Sequence, residues 1–296
     1  MNLMNVDIQS YMSLNLLNGL FNINNNIFNI KIFCILNYIM NIIKLIYLLI
    51  FILILILLLK YLCNSEDFTN SNFDNDIDYY VIHLKNSPPE RKENILKNQE
   101  ILGKKINIFD AVNGKEVDLN NLQIFDKNIN FDFNYESIGE VGCYLSHLML
   151  YKKIIESKKK YTVIFEDDFI IEDNEIHNKI HKITNDVNDF DIIYLGNLNN
   201  NYDSNNKISE NIYMKEKNMP LWGTHALLIN NKNINKLYNY IIKIDKPIDV
   251  KLQDIIYETK IKGYVHYPIL VSQDNIKFSS QIRSSYNTYK LYLHLF

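Results

Sequence analysis

The chain has 296 residues, 47% hydrophobic and 22% charged, a balance that excludes a disordered or collagen-like chain and leaves room for one large domain or two small ones. Lys and Arg total 31 against 34 Asp and Glu, a net charge of −3; the basic excess of a nucleic-acid binder is missing, and no nucleic-acid partner is expected. Three cysteines, Cys34, Cys63 and Cys143, supply no disulfide framework.

Residues 1–31 form a polar N-terminal tail, with NINNN at 22–26. Residues 32–62 hold an apolar run whose centre, LIYLLIFILILILLL at 45–59, carries no charge. About 20 such residues cross a bilayer. The run is apolar all round rather than along one stripe, which argues against a buried core helix. The following KYLCNSE offers no small-residue cleavage pattern, so a retained anchor is expected rather than a cleaved signal. Lys31 and Lys44 precede the run's centre and Lys60 follows it, which leans toward a single-pass type II membrane protein with its C-terminal part lumenal or extracytoplasmic. Residues 63–77, CNSEDFTNSNFDNDI, are an acidic linker.

From 78 to 296 the pattern becomes short apolar runs between amphipathic stretches. Residues 79–84 (YYVIHL) read as a strand, and Pro88 and Pro89 open a helix that runs to 102. A short strand is expected at 106–109, a helix at 139–157, and strands at 161–165 (YTVIF), 191–195 (DIIYL) and 225–229 (HALLI). Helices follow at 231–242 and 250–257. Strands alternating with helices predict one α/β domain with a mostly parallel sheet.

The sharpest local signal is Glu166-Asp167-Asp168 at the end of YTVIF. Ligands bind beyond the carboxyl ends of strands in open α/β sheets. Three adjacent carboxylates repel, nothing in the flanking FEDDFII neutralises them, and Mn²⁺ or Mg²⁺ would. Alternation along an extended chain puts Glu166 and Asp168 on one face, with Asp167 turned toward a loop or a sugar hydroxyl. A bare E-D-D is more often the pattern of a solvated acidic turn.

The surrounding residues 138–168, IGEVGCYLSHLMLYKKIIESKKKYTVIFEDD, resemble the central motif of glycosyltransferase family 25, a helix G-x-x-G/A-C-x-x-S-H followed by a basic stretch and a strand ending in E-D-D. Further matches stand in the same order: Tyr80 to Leu84 with Arg91, Phe109-Asp110-Ala111-Val112-Asn113-Gly114, Leu221-Trp222-Gly223-Thr224 before HALLI, Pro247-Ile248-Asp249, and 268–280 (PILVSQDNIKFSS). The resemblance implies a GT-A-type, Rossmann-like domain that moves a hexose, galactose or glucose, from a UDP-sugar with inversion. The implied acceptor is a glycan, a lipopolysaccharide-like or other lipid-linked glycan, or a protein of the hydroxylysine type. It implies a Mn²⁺ or Mg²⁺ site at Glu166, Asp167 and Asp168, and donor contacts from Leu84, Arg91, Asp110, Ser146, Trp222, Gly223 and Thr224.

Each position has a plainer reading beside the functional one. Arg91 is a bidentate phosphate partner or a solvated helix residue; Asp110 reaches ribose or base, or forms an Asx turn into Asn113-Gly114. Trp222 stacks on the ligand or fills the core. His147 shares a helix face with Cys143, Leu150 and Ile154 and reads as a core residue. His266 is a third metal ligand or, better, strand-end packing. The general base that inversion needs is assigned to Asp249, whose plainer reading is a helix N-cap, with Asp254 second. One departure is Leu227, where the family often carries an aromatic residue. A D-x-D-x-T phosphatase is disfavoured, because the first acid is Glu and no Thr follows. A catalytically inactive membrane protein that keeps the fold for glycan or nucleotide-sugar binding is the competing class.

Overall fold

The computed structural model describes residue 31 and residues 35–58, 76–199, 201–216, 220–274 and 276–278. The tail apart from Lys31, residues 32–34 and 59–62 of the expected anchor, 63–75 of the linker, and 275 and 279–280 of the last motif lie outside the described residues. The chain divides into two units, Met1–Asn70 and Ser71–Phe296. In the first unit, helix α1 (Ile35–Leu58) has 24 residues and contains an 18-residue stretch with a mean hydropathy of 2.9. At about 1.5 Å per residue it exceeds the roughly 30 Å of a hydrocarbon core. A membrane anchor and a signal sequence share that length and composition.

The second unit runs β1 (Ile77–His83), α2 (Pro89–Leu102), β2 (Asn107–Asp110), 3-10 turns at Gly114–Glu116 and Leu119–Ile124, β3 (Asn130–Phe131), α3 (Ile138–Ile155), β4 (Tyr161–Glu166), β5 (Phe169–Ile171) and α4 (Ile176–Asp186). It continues with β6 (Ile192–Gly196), β7 (Lys207–Ser209), β8 (Ile212–Met214), β9 (Ala226–Asn230), α5 (Ile234–Ile241), β10 (Lys243–Ile244), α6 (Ile248–Glu258), β11 (Gly263–His266) and β12 (Val271–Gln273). Eight strands form one sheet in the order β2-β1-β4-β9-β6-β11-β8-β7, and β3-β10 and β5-β12 make two small ribbons.

The expected mostly parallel sheet is corrected to a mixed one. β2, β1 and β4 are mutually parallel, as are β6 and β11. β9 runs antiparallel between β4 and β6, and β8 and β7 add an antiparallel edge. The chain makes the β7–β8 excursion after β6 and enters β9 from the end of the sheet where β4 finishes, so β9 must run back. Sequence alternation does not encode that direction.

Both faces of the sheet are covered, which is why its central strands read as unbroken apolar runs. Period-two alternation sorts their side chains. Ile164, Leu227 and Ile229 join the core beneath α3, α5 and α6, with Tyr144, Tyr151, Leu237 and Leu252. Val163, Phe165, Ala226 and Leu228 join the opposite core with Ile95 of α2 and Ile176 and Ile180 of α4. Helix α2 starts on Pro89 and stops at Gly103, whose φ of 67° closes the last turn through its N–H to the Gln99 carbonyl. The start of α3 lies against the loop after β2. A Cβ on Gly142 would stand 2.6 Å from the Gly114 nitrogen, and one on Gly114 would run into the Ile138 carbonyl.

Candidate functional site

β4 delivers Glu166 to the carboxyl edge of the sheet, and Asp167-Asp168 turn the chain into β5. Helix α2 holds that turn. Arg91, Asn94, Asn98 and Leu102 recur at helical spacing on its buried face. Asn94 Nδ2 donates to the carbonyls of Asp167 (3.1 Å) and Phe169 (2.9 Å). Asn98 Nδ2 donates to the Phe169 carbonyl (3.1 Å), and its Oδ1 accepts from Ile171 N (2.7 Å).

Asp167 faces this helix. One oxygen takes the Arg91 guanidinium, and the other accepts from His83 Nδ1 at 2.7 Å. The counter-charge missing from the local sequence therefore arrives from Arg91, 76 residues away. Each Asp167 oxygen thus has one protein partner, and these bonds tie the turn to β1 and α2. Arg91 is buried, lies 3.6 Å from Asp168 and stacks over Phe278, so it is not a solvated helix residue.

Glu166 faces the other way, toward α3. Thr224 Oγ1 donates to its Oε1, and His147 Nε2 stands 3.4 Å from the same atom. Burial, the largest single influence, raises the Glu166 carboxyl, but the bond to and charge of His147, the Thr224 bond and the His225 charge together outweigh it and hold the group below the usual carboxylate range. Asp168 accepts from Gln273 Nε2 at 2.9 Å through Oδ2, while its buried Oδ1 has no partner. Burial, then the neighbouring Glu166 charge, pushes the Asp168 carboxyl up to about 7. A carboxylate pair that repels itself and leaves one buried oxygen unbonded is a fit for a hard divalent cation at Glu166 and Asp168.

His147 is fully buried, as expected of a core residue. Yet its ring faces Glu166, and Nδ1 is unpartnered. Cys143, one turn earlier, is partly buried, and burial followed by the charges of Glu166, Asp249 and Asp168 raises its thiol well above the usual value. Asp249 thus stands within electrostatic reach of the cluster despite its distance in sequence. It occupies the first turn of α6, where Pro247 is the N-cap, and its Oδ1 accepts from Val250 N at 2.8 Å. Asp254 is paired with Lys246.

The other expected donor contacts divide. Trp222 is partly exposed, and its carbonyl accepts from Leu198 N at 2.9 Å. Gly223 has a φ of 90°, and a Cβ there would meet His225 Nδ1 at 3.0 Å. Thr224 is committed to Glu166. Ser146 is buried, donates to the Gly142 carbonyl (2.7 Å) and accepts from Val112 N (2.8 Å), so its hydroxyl ties α3 to the loop after β2. Asp110 is exposed at the end of β2. Leu84 is partly buried just past β1, its carbonyl accepting from Ser87 N at 2.9 Å. His266 bonds the Pro268 carbonyl at 2.6 Å, in keeping with strand-end packing. Sequence reasoning missed His83 and Gln273 as partners of the acidic turn; neither carries a local signal.

The sequence pattern of glycosyltransferase family 25, described as LPS biosynthesis protein, matches residues 76–252. Among curated proteins, procollagen galactosyltransferase 2 of Mus musculus is 30% identical over 132 residues, 40% of this chain and 20% of that protein. A protein of Rattus norvegicus named probable inactive glycosyltransferase 25 family member 3 is 28% identical over 127 residues, 40% of this chain and 22% of that protein. The chain thus matches about a fifth of the length of these relatives. Among solved structures, a glycosyltransferase involved in glycosylation of the PBCV-1 major capsid overlaps at a TM-score of 0.35 and 9% identity, over 64% of this chain and 81% of that one, a likeness too slight to assign the fold.

Proposed function

The chain belongs to glycosyltransferase family 25, and from that membership we propose that it transfers a hexose, galactose or glucose, from a UDP-sugar to a hydroxyl of a glycan, lipid-linked glycan or protein. The observation that carries this reading is the Glu166–Asp168 pair at the strand end, with Asp168 Oδ1 unbonded while Asp167 is neutralised. Glu166 and Asp168 would hold Mn²⁺ or Mg²⁺, and Asp167 keeps the turn in place. A bound divalent ion would offset the charge on the departing diphosphate.

Asp249 serves as general base, taking the proton of the acceptor hydroxyl as its oxygen bonds to the anomeric carbon and UDP leaves, with inversion. Its support is the shared field at Cys143, which senses Glu166, Asp168 and Asp249 together. Asp254, engaged by Lys246, is the weaker candidate. Trp222, Gly223 and Leu84 line the donor side, with Asp110 at the rim. Helix α1 anchors the protein in a membrane as a type II protein, its globular unit lumenal or extracytoplasmic.

The test is a panel of UDP-sugars with Mn²⁺, read as released UDP, on wild type and Asp168→Asn. Release by wild type and its loss in the variant, together with lost UDP binding, are expected. UDP bound equally by both proteins would reduce the acidic turn to a solvated one. A second reading, a non-catalytic nucleotide-sugar or glycan binder, draws on the pairing of Arg91 with Asp167, which offsets part of the cation's charge. UDP-sugar binding without any release of UDP would favour it.

A further inference from the structure

Beside the acidic turn lies a ligand set of different chemistry. Cys143 Sγ, a ring nitrogen of His147 and a carboxylate oxygen of Glu166 all lie within 4.8 Å of one another. Cys143 and His147 are one turn apart on α3, and Glu166 ends the neighbouring strand. His147 is fully buried with Nδ1 lacking any partner, and its Nε2 stands 3.4 Å from Glu166. The Cys143 side chain packs on the core beneath α3 with its sulfur held beside the unpartnered imidazole nitrogen and the Glu166 carboxylate, a donor set suited to a cation.

We propose that Cys143, His147 and Glu166 form a binding site for a borderline-soft divalent cation, Zn²⁺ foremost, separate from the hard-cation position at Asp168. Thiolate, imidazole and carboxylate are the ligands Zn²⁺ selects, whereas Mg²⁺ and Mn²⁺ favour oxygen alone. Coordination releases the thiol proton to solvent. Because Glu166 belongs to both sets, Zn²⁺ withdraws it from Asp168 and suppresses Mn²⁺-supported UDP binding; this last clause rests on the function proposed above.

The experiment uses the full chain in detergent, stripped of metal and kept reduced, titrated with Zn²⁺ against a chromogenic chelator and separately with Co²⁺. Wild type should bind Zn²⁺, and Co²⁺ should give a near-ultraviolet thiolate charge-transfer band. Cys143→Ser and Cys143→Ala, shown folded by circular dichroism, should lose the band. Their Zn²⁺ affinity should fall by at least about 100-fold, the upper end of what losing an outer-shell partner costs, with Mn²⁺ affinity unchanged. Absence of the band in wild type, or equal Zn²⁺ affinity in either folded variant, overturns the site. A Zn²⁺ site with its band in a protein that never binds UDP would sink the enzymatic reading and leave this one standing.

Discussion

The two flanks of the Asp167–Asp168 turn are built from similar residues and are finished differently. On the α2 flank, His83, Arg91, Asn94 and Asn98 meet Asp167 and the adjoining backbone in a network in which donors and acceptors are matched. Away from that network, Asp168 Oδ1 at the turn and His147 Nδ1 on α3 are buried without partners, and Glu166 and Asp168 repel. A saturated polar network fixes geometry, while an unsaturated one keeps a free-energy cost that a ligand can remove. On the function proposed above, the first group supports and the second reacts.

That division can be broken by substitution. The largest effect is expected at Asp249, on the chemical side. Asp249→Asn should lower turnover by roughly 10²–10⁴-fold, the range for a general base, with UDP affinity intact. A variant that only melts lower, by the roughly 0.3–1 kcal/mol of a first-turn carboxylate at a helix N-terminus, and transfers sugar normally would return Asp249 to a helix-end role. Next comes Arg91→Met, which strands the Asp167 charge and should cost about 3–5 kcal/mol of stability in chemical denaturation. Little loss there would mean that the α2 flank supports nothing. Asn98→Leu leaves the Ile171 N–H unmet, while the Phe169 carbonyl keeps its bond from Asn94, and should cost about 1–3 kcal/mol, read as a shift of the denaturation midpoint without a change of slope. Smallest is the stability effect of Asp168→Asn without metal. Removing one of two repelling carboxylates should leave the melting temperature level or raised, and a marked fall would show that Asp168 belongs to the supporting flank.

Much of this arrangement is legible in the sequence because it is local. YYVIHL, YTVIF and HALLI announce strands β1, β4 and β9 within two residues at each end, and the doubled proline fixes the start of α2. The acidic turn stands out because three carboxylates abut an apolar run. What stays hidden is tertiary. Gln273 reaches Asp168 across 105 residues and His83 reaches Asp167 across 84, and no window of sequence joins them. The direction of β9 is hidden for the same reason. Helix α4 escapes notice because its apolar stripe is only Ile176, Ile180 and Ile183 within a polar segment. Trp222 and Asp249 show the opposite limit: their positions in the chain are plain, and their neighbours are not.

The meeting of Gly114 with Gly142 bears on how this fold can be re-engineered. Two backbones that touch where neither tolerates a side chain, laced by Ser146 to Val112 N, behave as one interchangeable cassette although nearly thirty residues of chain separate them. A chimera that imports the helix α3 segment from a homologue while retaining the native loop after β2 would mismatch this seam, and expression as inclusion bodies is the expected outcome. Grafting both segments together should preserve solubility, which makes the pair, rather than either motif, the natural unit of exchange.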